Sequence, residues 1–359
     1  MQIDLFFEFA VPPGSGRDER QVYEETLAEV ELADQLGFDG AWFVEHHFTP
    51  GYSHLSKPEL VLAALARTTR RLRLGLGVIP LPLHHPLHVA ERVATLDLLT
   101  GGRLEVGVGR GLVPAEYAAF GASTSEGRQR VDEALTLLRA GGAGGPVQAA
   151  PGPEAEPAAS LRPRALQAPH PPLWSAAVSP ETYDWAATAG VGVLAGPFKP
   201  WALTQVDIAR YRAAWRHAHP SRVGMTVGVL CLPDARRARA LAAPAFRWFY
   251  EELLRVTAPV MERLVPGYEQ IHGLRHWRLL GRWGARLRVL ELAGLVIVGD
   301  PAHCLAQLRR LQAAGVDRVL CAIGAGALPT DVVRESLHCL ANSVLPALRS
   351  APRSAPPRT

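Results

Sequence analysis

A (β/α)₈ barrel is the fold class this sequence predicts, on three observations. Short apolar runs of strand length alternate with stretches of helical period along most of the 359 residues. Proline recurs where those helical stretches begin, at Pro58, Pro86, Pro180 and Pro301, and the first turn of a helix needs no amide hydrogen bond there. Glycine closes them ahead of the next strand, in Gly37-Phe38-Asp39, Gly190-Val191 and Gly315-Val316-Asp317. Such alternation argues for one parallel barrel over a chain split into two domains.

Ile3 to Phe7 reads as the first strand, with Glu8 and Phe9 at its end. After a Pro/Gly loop, Tyr23, Leu27, Val30 and Ala33 recur at helical spacing and place an amphipathic helix over 20–36. Gly40 to Val44 is the second strand. The others are Leu72 to Ile79, Leu104 to Val108, Leu173 to Ala176, Val191 to Leu194, Met225 to Leu230 and Arg318 to Ala322, making eight. Their unbroken apolar character suits strands covered on both faces. Two insertions break the rhythm. Residues 140–172, before strand five, are rich in Gly, Ala and Pro and read as an irregular excursion. Residues 234–294, after strand seven, carry helical pattern with Arg, Trp and Tyr; a lid over the catalytic face and a solvated helical decoration both fit. The expectation is a single domain over 1–348 and a disordered Pro/Ser/Arg tail over 349–359.

Composition narrows the function classes. Hydrophobic residues make up 48%, which excludes a disordered chain. The formal net charge is +4, and no basic run interleaves with aromatics, so a nucleic-acid partner is not expected. No apolar stretch reaches membrane-spanning length and no basic region precedes an N-terminal apolar run. Cys231, Cys304, Cys321 and Cys339 form no CxxC pair, which suits a reducing compartment; the expected location is cytoplasmic.

The chemistry-bearing stretch is Gly40-Ala41-Trp42-Phe43-Val44-Glu45-His46-His47-Phe48, an apolar strand ending in a carboxylate and two imidazoles. The C-terminal end of a strand is where a parallel barrel carries its chemistry. Adjacent strand residues face opposite sides, so His46 and His47 cannot easily hold one metal ion, and no HxH or HExxH spacing supports a metal. Two readings stay open: a hydrogen-bonded structural pair, and one histidine turned to the mouth for proton transfer. Gly107-Val108-Gly109-Arg110-Gly111 ends strand four, where small residues admit a ligand and a guanidinium suits a phosphate or a structural carboxylate. Arg128 heads the next helix. Ser179-Pro180-Glu181-Thr182 opens the helix after strand five, either as an anion site or as an ordinary Ser cap with Pro at the first position. These three signals share a phosphorylated cofactor as the economical explanation.

Glu45-His46-His47-Phe48-Thr49, the run Leu74 to Pro82, His85-Pro86, and Thr100-Gly101-Gly102-Arg103-Leu104 through Arg110-Gly111-Leu112 together resemble the bacterial luciferase family. So do Phe120-Gly121 followed by Arg128, Ser179 to Trp185, and the pattern from Val298-Gly299-Asp300-Pro301 to Leu345-Pro346. The motif order is kept from near residue 1 to about residue 348. The resemblance implies a (β/α)₈ barrel that binds reduced FMN and uses O₂ on a small organic substrate, with the flavin supplied by a separate reductase and the chain paired as a homodimer. Some relatives use a deazaflavin coenzyme and transfer hydride instead, and a flavin-binding protein without turnover is a further alternative. By position, the resemblance makes Arg110 and Arg128 phosphate-binding and puts Val178, Ser179 and Thr182 in a phosphate turn. It makes His46 the proton-transfer group, Gly77-Val78 a cis peptide beside the flavin, and Trp248 a residue of the substrate pocket. Departures point away from light emission and a long aldehyde substrate: Gly109 stands in place of a reactive cysteine, Val178 in place of an acid, and Val113 and Pro197 in place of aromatics.

Overall fold

The computed structural model of the protein describes residues 1–142, 146–147, 159–262, 269, 286–326 and 328–350. In chain order these residues form β1 (Gln2–Phe7), α1 (Glu19–Leu36), β2 (Gly40–Phe43), α2 (Pro58–Thr68), β3 (Arg73–Pro80), α3 (Pro86–Thr100), β4 (Leu104–Gly109), α4 (Pro114–Ala119) and α5 (Gly127–Gly142). A short antiparallel hairpin follows, β5 (Pro146–Val147) and β6 (Ala159–Ser160). Then come β7 (Leu173–Ala177), α6 (Pro180–Ala189), β8 (Gly192–Ala195), α7 (Trp201–Ala214), β9 (Val223–Cys231) and α8 (Ala235–Glu262). The chain continues with α9 (Leu287–Leu292), β10 (Val296–Gly299), α10 (Pro301–Ala313), β11 (Arg318–Ala322), α11 (Thr330–Cys339) and α12 (Leu345–Arg349).

Eight parallel strands close in the order β1-β2-β3-β4-β7-β8-β9-β11, with β11 returning to β1 through Gln2↔Arg318 to Leu5↔Cys321. These are the eight strands the sequence predicts, shifted by one or two residues at their ends. Helices start and stop for the reasons the prolines and glycines suggest. Pro58, Pro86, Pro180 and Pro301 sit in the first turns of α2, α3, α6 and α10, and Gly37 and Gly190 cap α1 and α6 in the left-handed region.

The structure corrects the reading at three places. Val296–Gly299 is a further parallel strand, pairing with the end of β9 from Val296↔Gly228 to Gly299↔Cys231; four residues are too short to show a period. The 140–172 excursion contains the β5–β6 hairpin. The 234–294 insertion begins as one 28-residue helix whose Phe246, Phe249, Tyr250 and Leu253 are buried. That part packs a buried face against the core, which a purely solvated decoration would not; most of the remainder, 263–268 and 270–285, lies outside the described residues, as does the 351–359 tail.

The barrel interior is closed at its N-terminal end by charges. Arg318 pairs with Asp4 at 3.0 Å and with Glu105 at 3.3 Å, and Arg73 Nε donates to Glu105 at 2.5 Å. The indole N–H of Trp42 donates to Asp4 and that of Trp174 to Glu105. Gly75 and Gly192 make room for these rings, since a Cβ on either would come within 2.5 Å of an indole carbon. With the floor sealed, the free space of the barrel lies at the other end.

Candidate active site

A cleft opens where the strands end, with about 1170 Å³ of empty space including its open mouth. Its walls come from the segments after β1, β2, β4, β7 and β8, from β3, and from Leu253 of α8. Val78, Leu112, Leu194, Phe198 and Leu253 give it an apolar lining.

One side is cationic. Tight packing puts the Arg110 methylenes 3.5 Å from where a Cβ on Gly127 would stand, so Arg110 lies beside the first turn of α5, which also carries Arg128. Arg128 Nη2 donates to Thr182 Oγ1 at 3.3 Å, and its guanidinium stacks 4.5 Å over Trp185. Thr182 Oγ1 in turn lies 3.2 Å from Ser179 Oγ. Ser179 precedes α6 without capping it, so its hydroxyl does not occupy the first amides of that helix. Lys199, in the segment after β8, donates to the Val178 carbonyl at 2.8 Å and pairs with Asp207. Burial pulls the Lys199 ammonium down to about 8, with Glu181 opposing.

The cleft also holds the histidine. β2 stops at Phe43, so Glu45, His46 and His47 follow in the loop beyond it. His46 lines the cleft with 22% of its side chain exposed. Its Nδ1 lies 3.1 Å from Glu116 Oε1, and the same oxygen accepts from the His47 amide at 2.8 Å. Burial disfavours the imidazolium, but the Glu116 hydrogen bond and the charges of Glu8, Glu116 and Glu45 outweigh it, and the His46 pKa is raised. His47 points elsewhere: its ring is buried, with Nε2 3.0 Å from Glu45 Oε1, and His84 Nε2 meets the same oxygen at 2.6 Å. Burial opposes the Glu45 charge, yet the two imidazoles hold the carboxyl down to about 2. The structure therefore separates the pair into a cleft-facing and a wall-bound histidine.

Gly77, Val78, Arg110, Arg128, Val178, Ser179 and Thr182 all line this one cleft together with His46, and the Gly77–Val78 peptide is cis. Trp248 is the exception: it packs partly buried against the core and is not part of the lining. Five residues further along α8, Leu253 takes that place, because five residues turn a helix by well over a right angle. Sequence reasoning missed Tyr52, Glu116 and Lys199, and noted Glu8 without a role. A carboxylate directly after the first buried strand, matching Glu45 after the second, was the available signal for Glu8. Glu116 stands seventy positions from His46 and gave none. Among the described residues no cluster of three or more His, Cys, Asp or Glu side chains is arranged to hold a metal, and no helix is long and apolar enough to cross a membrane.

A family model described as luciferase-like monooxygenase matches residues 1–318. The chain is 33% identical over 308 residues to a 4-hydroxyprotoasukamycin monooxygenase of Streptomyces nodosus subsp. asukaensis, spanning 82% of this chain and 78% of that one. It is 30% identical over 185 residues, half of each chain, to the oxygenase component of a flavin-dependent trigonelline monooxygenase of Acinetobacter baylyi. Among solved structures, monooxygenase RslO1 from Streptomyces bottropensis superposes with a TM-score of 0.78 at 27% identity, covering 97% of this chain and 100% of that one.

Proposed function

The chain belongs to the luciferase-like monooxygenase family, and on that premise we propose that it is an FMN-dependent monooxygenase that uses reduced flavin and O₂ to oxygenate a small organic substrate. One observation carries the reading: Arg110, Arg128, Ser179, Thr182 and His46 all line a single, largely apolar cleft. The donor set fits FMN. Two guanidinium groups, two hydroxyls and the amides opening α6 suit a phosphate dianion, and Val78 and Leu112 give apolar lining for a ring system.

When bound, reduced FMN supplies the electrons that activate O₂. The chain's own work is to hold, shield and protonate. Arg110 and Arg128 fix the phosphate, with Arg128 oriented by Trp185 and Thr182. Lys199 fixes the Val178 carbonyl and so the turn that presents Ser179. Leu194, Phe198 and Leu253 keep bulk water from the reacting region. His46 Nδ1 is held 3.1 Å from Glu116 Oε1, which leaves Nε2 to exchange a proton during oxygenation.

The relative named as an oxygenase component supports a separate flavin reductase as partner. Exposed Leu60 on α2 and Leu98 and Leu99 on α3 support a homodimer through these helices. Light scattering at micromolar protein should give twice the chain mass of 38.8 kDa. The function itself is tested by supplying reduced FMN, ¹⁸O₂ and a metabolite library and looking for ¹⁸O-labelled product by mass spectrometry. Tight binding of a deazaflavin in place of FMN, with substrate reduction and no label, would redirect the proposal to hydride transfer.

A further inference from the structure

Behind the cleft lies a second, smaller cavity, and one side chain borders both. Glu8 follows β1; it lines the cleft with His46 and Tyr52, and it lines a cavity under α1 with Arg17, Thr26 and Glu29. That cavity has a volume of about 30 Å³, above the roughly 10–15 Å³ that one water requires. One Glu8 oxygen accepts from the Tyr52 hydroxyl at 3.0 Å, and the Tyr52 ring stands 5.5 Å from the His46 ring. The other oxygen is buried and has no partner among the described groups. A buried carboxylate oxygen needs a water or a proton of its own.

We propose that Glu8 is a proton relay between His46 and the polar cavity under α1, so that His46 is recharged from behind while the cleft is filled by cofactor and substrate. The step balances simply. Protonated Glu8 gives its proton, through a water in the cleft, to neutral His46; the Glu8 carboxylate then takes a proton from water in the side cavity, and Glu29 gives its proton to the hydroxide left behind and regains one from solvent, with Arg17 beside it to offset the carboxylate charge. The inference rests on the reading of His46 as the proton-handling group.

The groups facing Glu8 are consistent with this use. They are His46 and Tyr52 from the segment after β2, Arg17 from the loop before α1, and Glu29 from α1 itself; Glu116 acts on it through His46. Burial raises the Glu8 carboxyl to about 6, with His46 and Tyr52 opposing, so it exchanges a proton near neutrality. Burial likewise raises Glu29 to about 8, with Arg17 opposing, which puts a second exchangeable carboxyl on the far wall. A carboxylate kept only to orient His46 would be served better by a low pKa, as Glu45 is for His47.

The test uses the protein with oxidised FMN filling the cleft and no substrate, so that the mouth is closed to water and the result stands whether or not the oxygenation reading does. The His46 ring N–H is followed by NMR in ¹⁵N-histidine-labelled protein, and its exchange with water is compared at equal His46 protonation. Glu8→Gln removes the relay. Gly324→Leu fills the side cavity without altering a titratable group: Gly324 lines that cavity, and a Cβ there meets nothing within 4 Å. Both variants should slow exchange at least about tenfold, the scale at which a positioned acid–base group matters. Glu8→Gln should also lower the His46 pKa, whereas Gly324→Leu should leave it unchanged. If either variant exchanges at the wild-type rate, protons reach His46 through the mouth and the relay is overturned. In that case ¹⁸O incorporation by the wild type would still support the oxygenase reading; its absence with slowed exchange would leave the relay and remove the oxygenase.

Discussion

The two ends of the barrel use buried charge differently. At the N-terminal floor, Asp4, Glu105, Arg73 and Arg318 meet opposite charges within 3.3 Å, and two tryptophans donate into the same cluster. At the mouth, one Glu8 oxygen has no partner among the described residues, and His46 keeps a fifth of its surface in the cleft. The floor charges sit in ion pairs that cross from strand to strand and help hold the strands together, although Asp4 Oδ1 and Arg318 Nη1 have no hydrogen-bond partner among the described residues. A charge left partly unmatched beside a cavity can change state, which stability does not require and chemistry does. The same contrast recurs within the mouth, between wall-bound His47 and cleft-facing His46.

The sharpest way to break this comparison is at the floor. Arg318→Met leaves Asp4 without its cation and Glu105 with Arg73 alone, and removing one partner of a buried pair typically costs ~3–5 kcal/mol. Urea unfolding should show a loss of that size, with FMN affinity of the folded fraction unchanged. A stable variant with impaired FMN binding would mean the floor serves the site. At the mouth, His46→Ala should cut product formed per O₂ consumed by roughly 10²-fold, the usual worth of a general acid–base. His47→Ala should leave that ratio near wild type, because it leaves the cleft lining intact, although each variant removes one partner of a buried carboxylate and lowers the urea midpoint. Full coupling in His46→Ala would return the pair to a purely structural role.

On the cationic side, Arg110→Ala and Arg128→Ala should each lose ~1.5–3 kcal/mol of FMN binding, at least about tenfold in Kd, with little change for riboflavin. Equal losses for the two flavins would make these arginines scaffold instead. The smallest effect separates the two ends by pH. Asp4 is raised by burial from 3.8 to about 6 despite Arg318, so its contribution to stability is present below the lower value and lost as pH rises through the upper one. Burial opposes the Glu45 charge, but His47 and His84 depress its pKa from 4.5 to about 2, so its contribution is present above 4.5 and lost as pH falls through 2. Asp4→Asn should therefore flatten the stability profile between about pH 4 and 6, and Glu45→Gln its acid limb. Profiles altered in the same window by both variants would erase the distinction.

By itself the sequence determined the barrel and much of its mouth. Prolines at 58, 86, 180 and 301 and glycines at 37 and 190 act through local backbone preferences, which tertiary context left in place. Arg110, Arg128, Ser179, Thr182 and His46 were legible because strand ends in a parallel barrel point one way, so motifs at those ends must meet. Only the tertiary structure decided which groups meet across the interior. Glu116 reaches His46 from the short helix α4 after β4, Leu253 replaces Trp248 through the rotation of α8, and Glu8 comes to border two cavities because β1, α1 and the segment after β11 leave a gap between them. The floor is of the same kind: Asp4, Glu105 and Arg318 each look like an isolated charge in an apolar strand, and only closure of the sheet from β11 to β1 makes them one cluster. Local preference is written in neighbouring residues, whereas the pairing of distant charges follows from how the strands register and how tightly the interior packs.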